Sequence, residues 1–262
     1  MLVGGHQLPY RLTRLDELRF SRSDVPALTV TADPANSVAV AGSERSDWSL
    51  RFCVQGDGES EHEARQRLDE ISMVRSGATV ALTAPHLLHK QPTRTGCGDL
   101  VVDAPADARV VIHVSYAAVQ LRDVKGPVRI AATHGRATIL DTSGQVDATA
   151  AVIDFSAACG HVTLSAEAEI NMKLSASRFE GTLLAWAQRC VRLRVPPGFT
   201  TPFRAIVSRR QDFVCRTEFA SFVRHEKKGD LHYFTYDGDT VPPDAHVHLR
   251  SEQATVVIDA TP

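Results

Sequence analysis

A short repeat between Val119 and Leu174 constrains this 262-residue sequence more than any other feature. Gly126, Gly144 and Gly160 are each followed by one residue, a valine, another residue and an apolar side chain. The three copies are Pro127-Val128-Arg129-Ile130, Gln145-Val146-Asp147-Ala148 and His161-Val162-Thr163-Leu164. A second half-lap recurs between them as Val119-x-Leu121, Ala137-x-Ile139 and Ile153-x-Phe155. Val128 to Val146 is 18 residues and Val146 to Val162 is 16, so one lap takes about 17 residues in two short strands. A fixed period this short is the signature of a coiled stack of strands, a β-solenoid, rather than a sandwich. Alternation by two places Val128, Ile130, Val146 and Val162 on an inward face and Arg129, Asp147 and Thr163 on an outward one. Ala132, Ala137, Ala148 and Ala150 suit a thin core, and Arg129 and Asp147, one lap apart, are expected to stack as an exposed pair. The corner glycines are expected to supply positive φ.

The remaining chain reads as strands closing the two ends of this stack. Residues 1–24 are polar, broken by Gly4, Gly5 and Pro9, with Tyr10 to Phe20 as a short strand or docking arm. From Leu28 the alternation begins, with a turn at Asp33-Pro34-Ala35-Asn36 and further strands at Val38 and Trp48 to Val54. One helix is expected from Ser60 to Met73: Ser60 and Glu63 form a capping box, and Ala64, Leu68 and Ile71 make a narrow apolar stripe. Pro85 to Gly98 reads as a loop. Strands at Leu100 and Val110 lead into the repeat, and those at Phe213, Leu231, His246 and Val256 close it. The expected organisation is an N-terminal arm over 1–24 and one all-β solenoid domain over 25–262, with its regular core at about 108–195.

Composition narrows the partners. The 43% hydrophobic fraction is ordinary for a globular chain, and a net charge of −2 gives no general pull toward nucleic acid or an anionic membrane. No apolar run has the length of a signal peptide core or a membrane span. The five cysteines, Cys53, Cys97, Cys159, Cys190 and Cys215, are scattered and form no C-x-x-C, which suits free thiols in a reducing cytoplasm. The expected location is therefore cytoplasmic, or the cell envelope if the true start lies upstream.

The pattern resembles the bacterial putative-adhesin β-solenoid families of unknown function, likened to auto-transporter adhesin heads. The residues that carry the likeness are the strand region with one helix at Ser60 to Met73, the strand ending in a proline turn at Leu100 to Pro105, and the Gly-x-Val-x-apolar laps. They continue to Val195-Pro196-Pro197-Gly198 and a last strand near Val247. The resemblance spans about Leu28 to Ile258, implies an adhesin-like binding role, and brings no catalytic residues with it.

Four groups of residues carry candidate chemistry. Asp123 and Asp141 each follow an inward residue by two places and fall 18 residues apart, so successive laps would stack them about 5 Å apart. Paired carboxylates at that spacing can share a proton, bind a cation or serve in glycoside hydrolysis; the alternative is that each is a turn aspartate. His246 and His248 project from one face of a strand, with His225 or His232 as possible neighbours, but zinc needs three or four converging ligands. Tyr236-Asp237-Gly238-Asp239 lacks the spaced oxygens of a calcium loop and reads as a β-turn. Arg209, Arg210, Arg224, Lys227 and Lys228, interleaved with Phe213, Phe219 and Phe222, could hold phosphates on a basic aromatic surface. The chain's near-neutral balance and the expected burial of those rings favour a solvated loop instead. The sequence contains no G-x-S-x-G, phosphate-loop or H-E-x-x-H motif.

The resulting expectation is a non-catalytic β-solenoid scaffold or binding module, adhesin-like and able to self-associate, with no cofactor and with a protein, itself or a glycan as partner. The alternatives are a carbohydrate-active solenoid enzyme built on Asp123 and Asp141, and a cytosolic protein-binding adaptor.

Overall fold

A computed structural model describes residues 10–33, 35–83, 98–238, 246–253 and 255–261. Gly4, Gly5, Pro9, Pro34, residues 85–97 including Cys97, Asp239 and the side chain of His246 lie outside the described residues.

In chain order the strands are β1 (Tyr10–Ser21), β2 (Ala27–Thr31), β3 (Ala35–Ser43) and β4 (Asp47–Gly58), then helix α1 (Glu61–Glu70). There follow β5 (Ser72–Ser76), β6 (Thr79–Thr83), β7 (Gly98–Pro105), β8 (Arg109–Val114), β9 (Ala118–Arg122) and β10 (Val128–Leu140). The long strands continue with β11 (Gln145–Ala157) and β12 (Cys159–Leu174), then β13 (Glu180–Ala187), β14 (Cys190–Val195) and β15 (Phe203–Val207). The last are β16 (Phe213–Arg216), β17 (Arg224–Lys228), β18 (Leu231–Tyr236), β19 (His246–Ser251) and β20 (Thr255–Ala260). All twenty join one mixed sheet, so the fold is all-β with a single α-helix among the described residues.

Two parallel ladders dominate that sheet. In the first, Leu28, Val110, Val128, Val146, Val162 and Leu183 pair in succession, and the row continues to Val247 and Phe203. In the second, Val38, Val119, Ala137, Ile153, Ile170 and Val191 pair in succession, continuing to Val256 and Phe213. The valines aligned by the sequence repeat are thus direct backbone neighbours. Strands β10 to β12 belong to both ladders because each is long enough to cross from one to the other, with register shifts at Ala132/Arg136 and Ala150/Val152 where the chain bends. Val128, Ile130, Val146 and Val162 are buried and Arg129, Asp147 and Thr163 exposed, as alternation requires. Arg129 and Asp147 approach to 3.9 Å on the surface.

The glycines act differently from expectation. Gly160 has φ +133°, but Gly126 and Gly144 have no positive φ; at Gly126 a Cβ would lie 2.2 Å from the carbonyl oxygen of Ala108, and at Gly144 2.2 Å from that of Lys125. At these two corners glycine is needed because the neighbouring backbone comes too close for any side chain. The positive φ of the opposite corner falls instead on two aspartates.

Spatial order departs from chain order at both ends. The first pair, β2 and β3, lies against β8 and β9, while β6 and β7, later in the chain, pair outside them. The last pair, β19 and β20, lies against β13 and β14, while the earlier β15 and β16 pair outside it. The last strand pair is therefore held inside the ladders with β15 and β16 outside it, and β2 and β3 are covered in the same way by β6 and β7. Tyr10–Ser21 pairs with β4 at all twelve positions.

The core changes along this order. Small residues fill its middle, where Ala132, Ala137, Ala148 and Ala150 are fully buried. Large rings close its ends: Phe20, Trp48 and Phe52 at one, and Phe203, Phe213, Phe219, Phe234 and Tyr236 at the other. Helix α1 adds to the first cover. Ser60 Oγ accepts the Glu63 N–H at 3.2 Å, while the Glu63 carboxylate accepts the N–H of Glu59 rather than that of Ser60. The helix ends at Glu70, short of Met73, because Ile71 turns extended and β5 begins. Its buried face, Ala64 and Leu68, sits directly on β4, where a Cβ at Gly56 would lie 2.3 Å from the Ala64 oxygen. Arg14 of β1 donates to the carbonyl of Leu68, which also accepts the Ile71 N–H, and to that of Ile71 at the helix end.

Candidate functional site

Asp123 and Asp141 occupy equivalent corners just beyond β9 and β10. Their φ values are +56° and +53°, the left-handed region that aspartate and asparagine tolerate best among residues with a Cβ. The Asp123 N–H donates to Leu140 O at 3.3 Å and the Asp141 N–H to Ser156 O at 2.9 Å, so each backbone is tied to the end of the next strand in the ladder. Both side chains are exposed, and the Asp123 carboxylate pairs with Arg122 at 3.1 Å. This geometry accounts for both residues as corner formers. Asp141→Asn is expected to leave the melting temperature nearly unchanged, whereas Asp141→Val is expected to cost about 1–2 kcal/mol in denaturant unfolding, because a β-branched side chain resists this backbone region.

The basic residues divide between two sites. Arg209 and Arg210 sit at a single helical turn before β16, while Arg224, Lys227 and Lys228 lie on β17, an edge strand exposed along its whole length. Arg224 forms an ion pair with Asp237, and Lys228 pairs with Glu226 at 3.1 Å and lies over the Tyr233 ring. Of the three interleaved phenylalanines, Phe219 is buried, Phe213 stacks on Phe234 with centroids 4.0 Å apart, and only Phe222 faces solvent. Phe222 borders a hollow of about 400 Å³ floored by Phe199, Phe219 and Tyr236.

His225 Nε2 and His232 Nδ1 are 2.8 Å apart, with the ring planes within 6° of each other. Desolvation, followed by the repulsion of His225, Lys227 and Arg210, holds the His232 imidazole below its ordinary value. His248 is not brought to this pair by the sheet: on β19 it sits between Leu184 and Arg204. Among the described residues no three His, Cys, Asp or Glu side chains converge as metal ligands. The four described cysteines are free, and burial pushes the thiols of Cys190 and Cys215 up, which keeps them protonated and unreactive.

A further hollow, of about 420 Å³, lies on the outward face of the second ladder. Two outward rows build it. One runs Thr138, Asp154, Asn171, Arg192 and the other Leu140, Ser156, Lys173, Arg194, each residue in register with the next. Asp154 is already satisfied: one oxygen takes Arg136 at 2.5 Å and the other accepts from Asn171 Nδ2 at 3.2 Å. Lys173, Arg192 and Arg194 form no ion pair or hydrogen bond with any described residue. Cations flanking them in the same rows are neutralised, Arg122 by Asp123 and Arg216 by Asp259. These three cations line the hollow from two neighbouring strands, and Asp259, paired with Arg216, stands in register beside Arg194 on the next strand.

No family model matches the chain, and neither does any curated protein. Solved structures do. A putative cell adhesion protein from Clostridium sporogenes is 6% identical with a TM-score of 0.37, the match covering 95% of this chain and 99% of that one. A putative adhesin from Bacteroides fragilis is 10% identical at TM-score 0.32, covering 95% and 97%. A putative lipid binding protein from Parabacteroides distasonis is 12% identical at TM-score 0.31, again covering 95% and 97%. Likenesses at these scores carry no functional argument.

Sequence reasoning missed Lys173, Arg192 and Arg194 because each is a single charge in an alternating strand. The signal that would have found them is lap alignment, since Lys173 stands 17 residues after Ser156 and Arg194 21 after Lys173. The second interval exceeds the 17-residue period, so the glycine-anchored alignment stops before it.

Proposed function

We propose that the chain is a non-catalytic β-solenoid binding module whose lateral faces, rather than its ends, meet a partner. On this reading the two ladders are opposite walls of one coil, and the domain runs from Tyr10 to Thr261. The observation that carries it is the chemistry of the outermost strands. At one end β1 presents Arg11, Glu17 and Arg19, and at the other β17 reads Arg-His-Glu-Lys-Lys, every residue exposed. Charged antiparallel edge strands oppose the addition of further strands. The lateral walls instead offer long in-register rows of polar side chains, a surface that also serves an adaptor reading. No helix among the described residues is long and apolar enough to cross a membrane.

Light scattering during size-exclusion chromatography tests this. The expected result is the mass of one chain at every concentration. Filaments or oligomers that grow with concentration would overturn the assignment of protected ends and free walls.

A further inference from the structure

We propose that the hollow formed by Asp154, Asn171, Lys173, Arg192 and Arg194 is a binding site for an acidic glycan, a chain of uronate-bearing sugars laid across the strands. The proposal rests on the binding-module reading and names its ligand class.

Three features favour this ligand. First, the charge is spread rather than convergent. Lys173 and Arg194 occupy adjacent strands in one row and Arg192 the neighbouring row, so the cations lie on two strands about 4.8 Å apart. A single small anion would call for donors aimed at one point. An extended chain with one carboxylate per unit matches charges distributed along a wall, and each guanidinium can take a carboxylate bidentately.

Second, neutral hydrogen-bonding groups stand among the cations. Ser156 is half-buried with its hydroxyl unpaired among the described residues, and Asn171 has used one amide hydrogen on Asp154, leaving its oxygen and second hydrogen. Such groups serve sugar hydroxyls. Leu140, 38% exposed at the margin, offers an apolar contact for a ring's C–H face.

Third, the alternatives fit less well. The Asp154 carboxylate inside the site opposes a ligand as densely charged as polyphosphate. Phe155, the one aromatic residue at the hollow, is 2% exposed, which leaves no platform on which nucleobases could stack.

The test is isothermal titration of the full chain with hexagalacturonate, beside neutral maltohexaose and inorganic tripolyphosphate. Hexagalacturonate is expected to bind and maltohexaose not to bind. Lys173→Gln combined with Arg194→Gln is expected to weaken hexagalacturonate at least about tenfold, as loss of charge-assisted hydrogen bonds should. Its melting temperature should stay unchanged, because both side chains are outward. Asn171→Ala is expected to weaken the glycan but not any residual phosphate binding. Arg122→Gln, which removes a paired cation of the same row, is expected to change affinity less than about twofold.

An absence of hexagalacturonate binding would overturn the proposal. So would tripolyphosphate binding as tightly as the glycan, or an equal loss when the paired Arg122 is removed. A failure here from a chain that light scattering finds monomeric overturns the ligand alone; filaments would overturn the module reading instead.

Discussion

Ile139→Asp is expected to leave the chain unfolded or insoluble. Ile139 is fully buried, paired in register with Leu121 on one side and Phe155 on the other, both also buried. A carboxylate there has only apolar neighbours across the core and along the row, and burying it unpaired costs several kcal/mol, a large part of the roughly 5–15 kcal/mol that holds a domain folded. The loss should not stay local, because stacked strands are stabilised mainly by their neighbours and Ile139 sits mid-row. Leu140→Thr, the next residue but outward and partly exposed, controls for position in the chain and is expected to alter stability by no more than about 0.5 kcal/mol. Circular dichroism and thermal melts of both variants check this. A soluble Ile139→Asp protein that melts cooperatively near the parent temperature would mean the inward register is wrong.

That contrast also marks what the sequence made legible. Where the repeat is strict, two-residue alternation decides which side chain is buried, and the glycine spacing decides which valines become neighbours. The order of strands at the ends was hidden. Alternation in β2 or β19 signals a strand with a buried face, but it holds no information on which strand lies beside it, and the insertion of β15 and β16 outside β19 and β20 is a topological fact that periodicity does not encode. The candidate site was hidden for a related reason. Arg192 and Arg194 are unremarkable in a strand read alone, and they become a cluster with Lys173 only through the pairing of β12 with β14. Asp123 and Asp141 drew attention because residues that tolerate left-handed backbone also carry carboxylates, so corner chemistry and catalytic chemistry look alike in sequence.

Gly181→Ala is expected to be among the most damaging single-methyl additions in the protein. Gly181 pairs in register with Gly160, and its φ is +117°, a conformation that residues with a side chain rarely adopt. A Cβ there would also lie 2.2 Å from the Gly160 carbonyl oxygen and 2.8 Å from its carbon. Both atoms are backbone, so neither can swing away as a side chain could; relief requires the two strands to separate, and a Cβ added at Gly160 would itself lie 2.9 Å from the Gly144 oxygen. Strain and overlap together are expected to cost about 2–4 kcal/mol. Two other glycines separate the causes. Gly144→Ala keeps the overlap, 2.2 Å to Lys125 O, without positive φ, and Gly77→Ala keeps a positive φ of +57° in a turn with nothing within 4 Å. Denaturant unfolding should therefore rank Gly181→Ala as most destabilised, Gly144→Ala next and Gly77→Ala least, at about 1 kcal/mol. If Gly77→Ala proved as costly as Gly181→Ala, backbone conformation alone would explain the corner glycines and close approach of the laps would not. The ranking expected here follows because adjacent strands approach backbone to backbone at these corners, leaving no space that a neighbouring side chain could give up.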